Sequence, residues 1–198
     1  LSNITEFGKN LYIANTQIID MTDLALLTRV KGYLNINNND ALTSLNGLHN
    51  LTSIGEDLGS PISGFGLTIY ENSGLTTLEH LANLTTLRGA VTITDNALSN
   101  LNGPLNSFTS LEGSLVVGGR DISTLEALAN LQTIGYDLII KDTDNLIDFN
   151  GLDNIESIGN NLVVERNQSL QSFEGMEKLL TINRSLKIIQ NPNLTTLS

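Results

Sequence analysis

Asp137, Asp142, Asp144 and Asp148 form the best-defined acidic cluster in the chain. Clustered carboxylates on an outward face are what polysaccharide-cleaving enzymes use as acid, base and nucleophile, and the same oxygens suit a hard cation. The surrounding sequence argues against both uses. At the repeat interval derived below, Asp142 stands beside Arg166 one turn on and Lys141 beside Glu165. The reading is therefore solvated charge pairs, worth about 0.2 to 1 kcal/mol each. Asp142-Thr143-Asp144-Asn145 opens like a calcium loop but lacks the glycine and the closing glutamate that complete one. Gly118-Gly119-Arg120-Asp121 is an equally poor match to a glycine-rich calcium repeat. The 2 histidines, His49 and His80, fall in different columns of different turns, so they share neither a metal nor a nucleophile. Cysteine is absent, which excludes disulfides, thiolate metal sites and a thiol nucleophile. The expectation is a chain without catalytic residues, metal or cofactor.

What positions these side chains is a repeat. Aromatics make up only 5% of the 198 residues and Trp is absent, while Leu, Ile, Asn, Thr and Ser recur throughout. The motif apolar-x-Ile/Val opens eight times, at Leu11, Leu34, Leu67, Val91, Leu115, Leu138, Leu162 and Leu186. The intervals are 23, 33, 24, 24, 23, 24 and 24 residues, the long one containing an insertion from Leu58 to Gly66. Period-two alternation of β-branched residues predicts a short half-buried strand in each copy. Behind it an apolar residue falls at every third position, as in Leu42, Leu45, Leu48, Leu51 and Ile54. That period suits neither an amphipathic helix nor a plain strand, but it suits a coil that turns corners through short extended or 3₁₀ pieces. Glycines share columns where corners should lie: Gly47, Gly103, Gly151 and Gly175 in one, Gly55, Gly135 and Gly159 in another.

The predicted fold is all-β: a parallel β-helix or leucine-rich-repeat-like solenoid of about 24 residues per turn. It forms a single domain over 1–198 with about eight turns. Both ends fall mid-repeat and carry no evident polar cap, so end-to-end self-association is expected to be open to the exposed end turns.

The sixth position of each copy forms a second column, with Asn39, Asn72, Asn96, Asn167 and Asn191, and with Asn15 one place early in the first copy. Inward amides repeating once per turn read as a structural ladder that satisfies backbone groups at the corner. Arg120 and Thr143 interrupt it in adjacent turns, which predicts a locally rearranged corner there.

The run Leu42-Thr-Ser-Leu-Asn-Gly-Leu-His-Asn-Leu-Thr-Ser-Ile-Gly55, followed by Leu67-Thr-Ile-Tyr-Glu-Asn72, resembles the receptor L-domain-like leucine-rich repeats, and the likeness extends from Leu1 to Ser198. This resemblance implies a right-handed solenoid that is secreted or held at a cell surface and used for recognition or adhesion. The absence of cysteine departs from the animal hormone-receptor modules and fits a microbial surface protein better. A shared scaffold does not specify a ligand.

The partner-binding candidates are the outward strand residues Tyr12, Asn35, Thr68, Tyr70, Thr92, Thr94, Val116, Ile139 and Val163. Of these, Val116, Ile139 and Val163 should form an exposed apolar patch on three successive turns. A second candidate is the inserted loop, through Ser60, Pro61, Ile62 and Phe65. The partner expected is a protein or glycan at a cell surface. A net charge of −11 disfavours nucleic acid, and no apolar run is long enough for direct membrane insertion. The alternatives are a passive spacer in a larger surface protein, a carbohydrate-active β-helix enzyme, and a flat hydroxyl array for ice or glycan. Sequons occur at Asn3, Asn50, Asn83, Asn167, Asn183 and Asn193, most of them by-products of the repeated Asn-Leu-Thr.

Overall fold

The computed structural model describes residues 1–57 and 65–198. Strands Leu11–Ala14, Leu34–Asn37, Phe65–Tyr70, Ala90–Thr94, Leu115–Gly118, Leu138–Lys141, Leu162–Glu165 and Leu186–Ile189 form one eight-stranded sheet in chain order. All pairings are parallel, and the opening residues stack in register: Leu11 beside Leu34, Leu34 beside Leu67, and so on to Leu162 beside Leu186. Parallel neighbours require a crossover between them, and here each crossover is one circuit of the coil.

The three-residue apolar period has a direct cause. Leu48 N donates to Leu45 O and Leu51 N to Leu48 O, both at 3.0 Å, so the backbone advances in i to i−3 steps that bring every third side chain inward. Leu42, Leu45, Leu48, Leu51 and Ile54 are all fully buried, in a core that runs the length of the coil. Among the described residues helix is confined to the 3₁₀ turns Thr22–Leu24, Glu79–Leu81 and Glu126–Leu128. At the corner the glycine column is sterically required. Gly47 has φ +110, and a Cβ there would stand 1.8 Å from the Met21 carbonyl oxygen of the preceding turn.

Two-residue strands on another side of the coil make two shorter sheets, not one. Glu6–Phe7, Arg29–Val30, Ser53–Ile54 and Thr86–Leu87 form the first, and Ser110–Leu111, Thr133–Ile134, Ser157–Ile158 and Thr181–Ile182 the second. The eight-stranded sheet runs unbroken past the gap between them.

The insertion is shorter at its far end than the repeat count suggests. Phe65 and Gly66 lie within the strand Phe65–Tyr70, with a register shift between Phe65 and Leu67 against Ala90 and Val91. Ser60, Pro61 and Ile62 lie outside the described residues.

Candidate recognition face

In each copy the first and third residues of the apolar-x-Ile/Val motif, such as Leu34 and Ile36, face the core, so the second and fourth face outward. Register then aligns Tyr12, Asn35, Thr68, Thr92, Val116, Ile139, Val163 and Lys187 in one row. Ala14, Asn37, Tyr70 and Thr94 begin the other row, and Gly118, Lys141, Glu165 and Ile189 continue it.

Exposure along this face is uneven, because each outward side chain is flanked by those of the neighbouring turns. Tyr12 is 56% exposed, whereas Thr68 and Thr94 are only 5% exposed. Asn35, Tyr70, Thr92, Val116, Ile139 and Val163 are half-buried. The aliphatic row is thus a partly covered stripe and not a freely exposed patch. The buried Thr94 also leaves no exposed alternating threonine pair with Thr92. Asn37 Nδ2 donates to Tyr12 Oη at 3.2 Å and to Asn35 Oδ1. Thr68 Oγ1 is buried and has no hydrogen-bond partner among the described residues. Phe65, at the start of its strand, is 62% exposed and packs edge-on to Tyr33 with ring centres 6.1 Å apart.

The acidic cluster does not converge. Asp142 takes a two-pronged bond from Arg166, Nε to Oδ1 at 2.6 Å and Nη2 to Oδ2 at 3.0 Å. That guanidinium holds the Asp142 carboxyl below its ordinary value against the opposing effect of burial, and Lys141 adds to the lowering. Lys141 and Glu165 are register partners, yet Lys141 Nζ reaches Asp142 at 3.7 Å, while Glu165 pairs with Arg166. Asp137 Oδ1 accepts from Asn160 Nδ2, Asn161 N and Asn161 Nδ2, and Asp148 Oδ1 accepts from Asn150 N. Asp144 faces Arg120 at 3.9 Å. No group of three or more His, Cys, Asp or Glu among the described residues is placed to hold a metal ion.

The asparagine column has one bonding scheme. Asn39 N donates to Asn72 Oδ1 and Asn72 N to Asn96 Oδ1, at 3.2 and 3.1 Å. In return Asn72 Nδ2 donates to Ile36 O and Asn96 Nδ2 to Ile69 O, at 3.1 and 3.0 Å. Asn167 and Asn191 repeat the pattern. Two sequence-based expectations are corrected here. In the first copy Thr16 bonds Asn39 Oδ1 through both N and Oγ1, so Thr16 and not Asn15 stands in the column. Thr143 is fully buried and bonds Asn167 in the same way, so only Arg120, with its side chain 87% exposed, leaves the column.

Sequence reasoning missed the residue just before each rung. Asn15, Asn38, Glu71, Asp95, Asp142, Arg166 and Gln190 all have φ between +53 and +56, and Gly119 has φ +138. At Asn38 the turn is closed by Asn39 Nδ2, which also donates to Asn37 O at 2.8 Å. Asn15 and Asp142 take the same φ before Thr16 and Thr143, which have no amide, so the conformation belongs to the corner and not to the amide bond alone. The available signal was the Asn and Asp enrichment at that position, since those residues tolerate this conformation best.

Of the sequons, Asn3, Asn50, Asn83, Asn183 and Asn193 are exposed, whereas Asn167 is fully buried in its rung. The amides of Asn50 and Asn83 bond the backbone of the preceding turn, at Ala25 O and His49 O.

A receptor L domain model matches residues 3–108. The chain belongs to the receptor L domain family. Receptor L domains are binding domains and not enzymatic ones; in receptors they take protein ligands and are typically extracellular. The stretch matched by the receptor L domain ends at Phe108, between the two short sheets. Comparison with curated proteins gives no match. No helix among the described residues is long and apolar enough to cross a membrane.

Proposed function

We propose that residues 1–198 act as one non-catalytic recognition module outside the cytoplasm, binding a protein partner with the outward face of the eight-stranded sheet. The observation that carries this reading is the stripe Val116, Ile139 and Val163. Three β-branched side chains stand in register on adjacent strands, outside a core that is already filled. The rigid stack beneath keeps the entropic cost of docking low. Asp142 and Arg166 flank the stripe as a self-neutralised pair, which suits the rim of such a contact.

The test is binding to an array of purified extracellular proteins by the wild-type chain and by a Val116→Glu, Ile139→Lys, Val163→Glu variant. The wild type should show saturable binding that the variant loses while keeping its circular dichroism and melting temperature. Undiminished binding by the folded variant would sink the reading, and no binding by either would leave a spacer role.

A further inference from the structure

The outward face changes chemistry part-way along. From Val116 onward it is aliphatic with ion pairs. Over the first four long strands its eight positions are Tyr12, Ala14, Asn35, Asn37, Thr68, Tyr70, Thr92 and Thr94, with no formal charge in a chain whose net charge is −11. We infer that this half of the face is a binding site for a neutral glycan. The inference rests on the reading of the outer face as the recognition surface, but it uses a different part of that face.

Four features favour that occupant. Tyr12 is exposed and Asn35, Tyr70 and Thr92 are half-buried, and their hydroxyls and amide both donate and accept, with about 4.8 Å between adjacent strands and about 6.6 Å between alternate residues along one. A ligand covered in hydroxyls meets such a lattice at several points, whereas the anchor of a protein contact is usually a dry apolar pocket. The tyrosine rings supply the flat apolar surface that the carbon face of a sugar needs: Tyr12 is 56% exposed and Tyr70 half-buried. The absence of charge on this half, within an anionic molecule, selects against uronic acids and sulfated chains.

The fourth feature is the Thr68 hydroxyl. Thr68 lies between Asn35 and Thr92 in its row and outside the core that takes Leu67 and Ile69. Its Oγ1 is buried and unpartnered among the described residues, a condition that destabilises the free protein. Movement of the side chains around it would open this hydroxyl to a ligand hydroxyl, and the bond formed would recover what folding left unpaired.

The experiment is titration of the whole chain with neutral oligosaccharides of glucose, mannose, galactose and xylose, with polygalacturonate and heparin fragments as acidic controls. Saturable binding to a neutral oligosaccharide is expected, at least tenfold weaker in Tyr12→Ala/Asn35→Ala and with little response to salt. Thr68→Val should raise the melting temperature and weaken glycan binding together, a pairing that a purely structural threonine would not give. The aliphatic-stripe variant should bind the glycan as the wild type does, so failure of the protein-docking reading would show separately. Binding confined to acidic glycans, no binding to any neutral oligosaccharide, or neutral binding undiminished in the folded Tyr12→Ala/Asn35→Ala variant would each overturn the inference.

Discussion

Thr143 Oγ1 donates to Asn167 Oδ1 at 2.7 Å, and Thr16 makes the same bond to Asn39. Each threonine begins a run of rungs. Thr16 opens the series through Asn39, Asn72 and Asn96, and Thr143 opens another through Asn167 and Asn191, just after Arg120 has left the column. A threonine has no amide with which to grip the preceding turn, and at Thr143 the position one turn earlier belongs to Arg120, which has left the column. Mid-run positions differ, because their amides bond both neighbouring turns. Asn72→Ala should therefore cost about 3 kcal/mol, the upper end for orphaned buried polar groups. Thr143→Val should cost about 1 kcal/mol, since Thr143 N still reaches Asn167 Oδ1. Urea denaturation of the two variants reads the difference.

The residues with positive φ give a second contrast. Glu71, at φ 53, has a side chain poorly suited to that conformation, and Glu71→Asn should stabilise the chain by about 0.5 to 1 kcal/mol. Gly47→Ala should instead destabilise by more than about 3 kcal/mol, because both its φ of +110 and the Met21 carbonyl oppose a Cβ. Thermal melts of the pair would show shifts of opposite sign.

The Asp142–Arg166 pair makes stability depend on pH in a defined direction. The carboxyl is depressed in the folded chain below its ordinary value, so its contribution is complete above that value and is lost as pH falls through the lower folded value. Both side chains are partly exposed, which keeps the effect at neutral pH small and makes it weaken in high salt. Asp142→Asn should lower the melting temperature slightly at pH 7 and leave it unchanged in strong acid.

The interruption of the short sheets between Leu87 and Ser110 lies close to the missing rung at Arg120. Stability in a stacked coil is a sum over neighbouring turns, so this junction should open before either flank. Native-state hydrogen exchange is expected to show two blocks of protection, with faster exchange in residues 88–110. A single uniform block would contradict that division.

The strands and the three-residue stripe were legible in the sequence because each residue there answers to one local rule: Leu34 and Ile36 alternate inward, and Leu42 to Ile54 follow the i to i−3 bonds. The positive-φ column was not, because Glu71, Arg166 and Gln190 are not turn residues, and the conformation is imposed by the corner of the coil and not by the residue that adopts it. Thr16 and Thr143 were misread for a related reason. A hydroxyl can begin a run but not continue one, and that distinction is visible only once the partner is known. On the outward face, the row of Val116, Ile139 and Val163 followed from register alone. The burial of Thr68 and Thr94 depends on side chains contributed by other turns. Phe65 and Gly66 read as loop because a bulge displaces them from the strand's alternation.

The asparagine column also has a polarity. The main-chain N–H groups of Asn39, Asn72 and Asn167 donate to the amide oxygen of the next turn, and the same oxygens accept from the turn before, as Asn72 N donates to Asn96 Oδ1 while Asn72 Oδ1 accepts from Asn39. Such a stack can be lengthened by tandem duplication of whole turns, each new asparagine accepting from below and presenting its own donor above. An inverted segment would set donor against donor. Growth of the array by gene duplication is thus restricted to head-to-tail copies, and a shuffled or designed hybrid should splice only when both pieces run the same way.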